Sequence, residues 1–68
     1  MTLADMRTGD MGVILTAPVT LTRVLPCLGE RVRLITASEG LVLIDLGGMR
    51  VALSLAVARQ MILTTYYE

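Results

Sequence analysis

The chain contains no histidine, lysine, phenylalanine or tryptophan, and only one cysteine, Cys27. Each absence removes a class of chemistry. Without histidine there is no Ser-His or Cys-His nucleophile pair and no cysteine-histidine zinc centre. A lone cysteine forms no intrachain disulfide. Without lysine, positive charge rests on six arginines, balanced by six acids to a net charge of zero. Arg7, Arg23, Arg31, Arg33, Arg50 and Arg59 are scattered, and Arg31 and Arg33, beside Glu30, are the one basic pair. Nucleic-acid binding needs a basic stripe that displaces counterions. None is present, and Tyr66 and Tyr67 sit together at the tail rather than between arginines, so the sequence argues against a nucleic-acid partner.

Catalytic and metal-binding patterns are equally scarce. Asp5, Asp10, Glu30, Glu39, Asp45 and Glu68 stand apart, with no Asp-x-Asp or Glu-x-x-His spacing. Gly9 and Gly12 have the wrong spacing for a phosphate loop. Cys27, between Pro26 and Leu28, reads as a small buried hydrophobe. The five methionines, Met1, Met6, Met11, Met49 and Met61, read chiefly as core fillers. A soft-metal reading would use Met6, Met11, Met49 or Cys27. The expectation is no enzyme, no catalytic residue, no cofactor and no metal site. The opening "MTLADMRTGD" carries acids and lacks the basic-then-apolar order of a signal peptide. A cytoplasmic chain is therefore expected.

What the chain does have is aliphatic bulk: 54% of its 68 residues are hydrophobic. At this length one domain, 1–68, is expected, and a chain so short buries only about 60% of its unfolded surface. From Leu41 to Leu63 the sequence is almost continuously apolar, long enough for a membrane span. Asp45 and Arg50 lie inside that stretch, and each costs roughly 2.5–3.5 kcal/mol near a span's centre. Gly47 and Gly48 break a helix further, at about 1 kcal/mol each. A hairpin fits better. "LVLIDL" and "MRVALS" are two strand-like runs separated by the two glycines, and two-residue hairpin loops demand positive φ. Asp45 and Arg50 then face each other across the ladder as a cross-strand charge pair. No membrane span is expected.

The rest of the chain reads in short pieces. "RTGDMG" marks a turn, and "GVILT" (12–16) a strand. In "APVTLTRVLPCLG", Thr20 or Thr22 is a candidate cap for a short helical turn, and Pro26 forbids a long helix. "ERVRLIT" (30–36) alternates, with Val32 and Leu34 on one face, Arg31 and Arg33 on the other, and Ile35 out of step. "ASEG" reads as a turn. Ser54 is a candidate N-cap for one helical turn over "LAVARQ" (55–60), and "MILTT" (61–65) returns to strand. Five short strands with one or two helical turns predict an all-β chain folded as a small, partly closed barrel.

Three segments resemble the ferrous iron transport protein A (FeoA) family of small bacterial cytosolic proteins. "TLADMRTGDMGVIL" resembles the family's opening element and first strand. "GERVRLI" resembles its second strand, where a glycine precedes an alternating run. "LVLIDLGGMRVALSLAVARQMIL" resembles its closing pattern of strand, glycine turn, strand, helical turn and last strand. Leu53, Ala58 and Ile62 stand at that pattern's leucine, alanine and isoleucine. The resemblance runs from Leu3 to Thr64. One departure is clear: the family's longer insert between the first two strands, with its "R-L-x-x-L-G-L-x-x-G" element, is reduced here to "LTRVLPCLG", leaving Arg23, Leu25, Leu28 and Gly29.

The resemblance implies an SH3-like five-stranded barrel and a non-catalytic accessory role in ferrous iron uptake. Its implied partner is a membrane iron(II) transporter with a GTPase domain (FeoB-like). The partner-binding residues expected on this basis are Arg23, Leu25, Cys27 and Leu28, and self-association through a strand edge would equally suit the apolar composition. The alternative is a metal-responsive or regulatory SH3-like domain, like that attached to iron-dependent repressors of the diphtheria-toxin type.

Overall fold

A computed structural model describes residues 1–65; the tyrosine pair of the tail lies outside them. Five strands form one antiparallel sheet in the order β4-β3-β2-β1-β5. They are β1 (Met11–Thr16), β2 (Arg31–Ser38), β3 (Leu41–Leu46), β4 (Met49–Ser54) and β5 (Ile62–Thr65). A 3₁₀ turn covers Leu3–Asp5, and two short helices follow, α1 (Val19–Thr22) and α2 (Leu55–Gln60). This is the expected small SH3-like β fold. The barrel is open between β4 and β5: no ladder joins them among the described residues, and α2 carries the chain across the gap.

The glycine pair makes the hairpin the sequence predicts. Leu46 pairs with Met49, and Gly47 and Gly48 both have positive φ, 57° and 89°. Asp45 and Arg50 are register partners. The Asp45 carboxylate accepts the Gly48 N–H at 2.9 Å, so it braces the turn. The preceding turn is tighter than "ASEG" implies. Ala37 and Ser38 belong to β2, Ser38 pairs with Leu41, and the turn is Glu39–Gly40 alone. Glu39 takes φ 54° there, on the left-handed side that a two-residue hairpin requires.

Ile35 is out of step because it is a bulge. The β2–β3 register shifts between Leu34 and Thr36, which leaves Ile35 as the extra residue and restores the pairing beyond it. Leu15 occupies the same place in the β1–β5 ladder, where the register shifts between Ile14 and Thr16. Both bulges bend the sheet toward closure.

The core is aliphatic throughout. Ile14, Val32, Leu34, Val42 and Ile44 are at most 2% exposed. Leu3 and Met6 plug one side, and Ala58 and Met61 from α2 and its end complete it. Ser54 caps α2 as expected, its Oγ accepting the Val57 N–H at 3.2 Å. Thr20 and Thr22 do not cap α1. Its N-cap is Pro18, and Thr22 Oγ1 donates back to the Val19 carbonyl at 3.0 Å. No helix of the described residues is long and apolar enough to cross a membrane.

Candidate interaction surface

The β1–β2 connection is the one long loop, and it is tied at its base. Gly29 N–H donates to the Ile14 carbonyl at 2.8 Å, and Ile14 N–H donates to the Glu30 carbonyl at 3.1 Å. The chain leaves the clasp through the end of β1, where Thr16 still pairs with Ile62, and residues 17–28 form the loop proper. Inside it, α1 is a single turn continued by Arg23 to Leu25, whose N–H groups bond back to Val19 and Leu21. Leu21 and Leu25 stand one helical turn apart on a common face, and both pack partly buried against the core. Pro26 then ends the turn.

The inward face of the loop fixes what faces out. Val24 is 78% exposed, Val19 64%, Leu28 55% and Leu15 51%. Leu28 sits in the Cys27–Glu30 turn, closed by the Glu30 N–H on the Cys27 carbonyl at 3.2 Å. Arg23, at the end of α1, is also exposed. The loop thus presents three large aliphatic side chains and one guanidinium, with Leu15 exposed at the end of β1 just before it. Isolated exposed aliphatics are ordinary; several on one short segment make it the candidate surface.

The four residues expected at this surface divide. Arg23 and Leu28 are on it. Leu25 is half-buried and serves as the loop's anchor. Cys27 is fully buried and lies beneath the loop. Burial raises the Cys27 thiol above its ordinary range, so it stays protonated and weakly nucleophilic at neutral pH. Leu15, Val19 and Val24 were not among the expected residues. The signal for Val24 was available: it falls off the Leu21/Leu25 stripe.

The other notable side chains do not converge on a metal. Among the described residues no group of three or more His, Cys, Asp or Glu side chains could hold an ion. Met6 is in the core. Met11 is on the outer face, where its Sδ accepts a hydrogen bond from Arg33 Nη2 at 3.4 Å. Met49 is 54% exposed at the far edge of the sheet. The outer face also carries a shallow cleft lined by Met11, Arg31, Arg33, Asp45, Gly47 and Gly48.

No protein-family model and no curated protein matches the sequence. Solved structures do match the fold. A crystal structure of the iron uptake regulatory protein FeoA superposes with a TM-score of 0.85 at 18% identity, covering 97% of this chain and 96% of that one. The solution structure of FeoA from Chlorobium tepidum superposes at 0.82 and 12% identity, covering 98% of this chain and 71% of that one. A manganese-dependent transcriptional repressor in complex with manganese superposes at 0.86 and 18% identity, with 97% of this chain matching 36% of the repressor. The chain therefore has an SH3-like fold, similar over nearly its whole length to the FeoA structures and to about a third of a metal-dependent repressor.

Proposed function

We propose that this protein is a non-catalytic interaction module of ferrous iron uptake in the cytoplasm. In this reading it docks on the cytosolic GTPase part of a membrane iron(II) transporter and adjusts its activity. The observation that carries it is the clasped loop, which leaves Val19, Arg23, Val24 and Leu28 exposed, as is Leu15 at the end of β1. The likeness to nearly the whole of a FeoA crystal structure, against about a third of a repressor, supports the choice of partner class. Exposed aliphatic side chains with one arginine among them in the chain suit a partner surface that is apolar with an acidic group beside it.

In-cell crosslinking of the tagged protein, followed by identification of what co-purifies, tests this. Recovery of a large membrane GTPase transporter, reduced at least tenfold by Val24→Asp or Leu28→Asp, is the expected result. Recovery of soluble partners alone would sink it. The second reading, a regulatory domain of the repressor type, rests on the repressor superposition. It predicts capture of a DNA-binding protein in the same experiment.

A further inference from the structure

We infer that the free edge of β4 is a self-association surface, along which a second copy of this chain pairs antiparallel about a two-fold axis at Val51. The two edges of the sheet are finished differently. The β5 edge is covered by the chain's own start. Leu3 N–H donates to the Met61 carbonyl and Leu63 N–H to the Met1 carbonyl, both at 2.9 Å, and Thr2 bridges Ile62. The β4 edge has no such cover among the described residues: β4 pairs with β3 and with no other strand.

The hairpin geometry says which β4 groups face outward. Leu46 and Met49 flank a two-residue loop, so they form its closing hydrogen-bonded pair. Bonded and non-bonded pairs alternate along an antiparallel ladder. The N–H and C=O groups of Met49, Val51 and Leu53 therefore point to β3, and those of Arg50 and Ala52 point away from it. Natural edges are usually protected by a proline, a lysine, a bulge or an inward charge. The six β4 pairs run without a register shift, and the strand has no proline, lysine, bulge or inward charge; its one charge, Arg50, is on the outer face.

A second copy suits this edge because the strand is complementary to itself. A two-fold axis at Val51 sets Val51 beside Val51 of the second copy, Met49 beside Leu53, and Arg50 beside Ala52. Opposed residues then share a face of the sheet, since Arg50 and Ala52 pair outward with Asp45 and Leu43 while Val51 pairs inward with Ile44. No like charges oppose, and the Arg50 and Ala52 groups of the two copies complete four backbone hydrogen bonds. Val51 is half-buried and Met49 54% exposed in the single chain, and both become covered. One six-residue seam is smaller than the roughly 1,200 Å² of a standard interface, so association is weak and concentration-dependent.

Sedimentation equilibrium of the full chain over a wide concentration range, paired with amide hydrogen exchange, tests the seam. The mass is expected to rise from 7.4 kDa toward twice that value. Arg50 and Ala52 amides should gain at least tenfold protection as it rises, while Val51 and Leu53 are protected at every concentration. Ala52→Pro removes an N–H that β3 does not use, and Met49→Lys places a cation on the seam. Either variant should stay monomeric. A chain that is monomeric throughout, or a dimer that survives both substitutions, overturns the inference, as does protection of Arg50 and Ala52 that appears only on adding a different protein.

Discussion

The three-stranded meander β2-β3-β4 and the β1–β2 connection are built on opposite plans. The meander spans Arg31 to Ser54 with two turns of two residues each. Its inward side chains Val32, Leu34, Val42 and Ile44 are essentially inaccessible. The connection spends 14 residues between two points of one clasp and buries fully only Cys27. Two-residue turns set the register of the meander, which places its inward side chains on one face. Beyond Thr16 the connection has no ladder and is held by Leu21, Leu25 and Cys27 packing on the core. The difference separates two kinds of burial: the meander buries a regular row of side chains, and the connection leaves most of its large aliphatic side chains exposed.

The contrast is broken most severely at the centre of the meander. Ile44→Ala removes a side chain with 0% exposure and should destabilise by about 2–5 kcal/mol in chemical denaturation. Val24→Ser in the connection should shift stability by less than about 0.5 kcal/mol. Equal losses at the two sites would erase the distinction. Next comes Gly12 in β1, which pairs with Val32 of the meander on one side and with β5 on the other. A Cβ there would stand 2.7 Å from the Thr64 carbonyl oxygen, and Gly12→Ala should cost about 1–3 kcal/mol through forced displacement of β5. A melting temperature unchanged by this substitution would show that the β1–β5 contact is looser than the geometry states.

Smaller effects sharpen the comparison. Gly48→Ala puts a side chain at φ 89° and should cost about 1–2 kcal/mol, without touching capture by a partner. Ser54→Ala removes the Oγ that caps α2, and a loss of about 1 kcal/mol is expected in the same denaturation experiment. The least effect is a pH dependence at the chain's start. The Asp5 carboxyl is held below its ordinary value, first by the Thr2 backbone N–H and then by the Thr2 hydroxyl. A depressed carboxyl contributes stability that is present above its unfolded value and lost as pH falls through the folded one. Acid titration of wild type against Asp5→Asn should therefore show a slightly shallower loss in the variant below the usual carboxylate range.

Most strands were legible because they obey local rules. The glycine pair specified the 41–54 hairpin, and alternation at Val32 and Leu34 specified β2. Ile35 disturbed that alternation visibly, yet alternation cannot tell a bulge from a weak pattern, since the distinction lies in the partner strand. The Glu39–Gly40 turn was read too wide because glutamate is an unusual residue at positive φ, and only the pairing of Ser38 with Leu41 imposes it. The α1 cap was misplaced because Thr20 and Thr22 have the right chemistry at the wrong position relative to Pro18. At the candidate surface, Arg23 and Leu28 were legible as polar and apolar remnants of an insert. Leu15 and Val19 were not, because exposure of an aliphatic residue is a property of its surroundings.

By itself the sequence determined what this protein lacks and how its chain is divided. Without histidine, paired acids or a second cysteine, no pattern of nucleophilic or zinc chemistry could be written, and two glycines between two aliphatic runs required a hairpin. These follow from side-chain chemistry and backbone sterics, which act within a few residues. The sequence also marked Cys27 as buried; tertiary structure alone decided that Leu28 beside it is exposed, that the chain's start covers β5, and that β4 is left with outward-facing hydrogen-bonding groups. Those outcomes depend on which distant segments arrive at each strand and side chain, and long-range packing, rather than local preference, distributes burial.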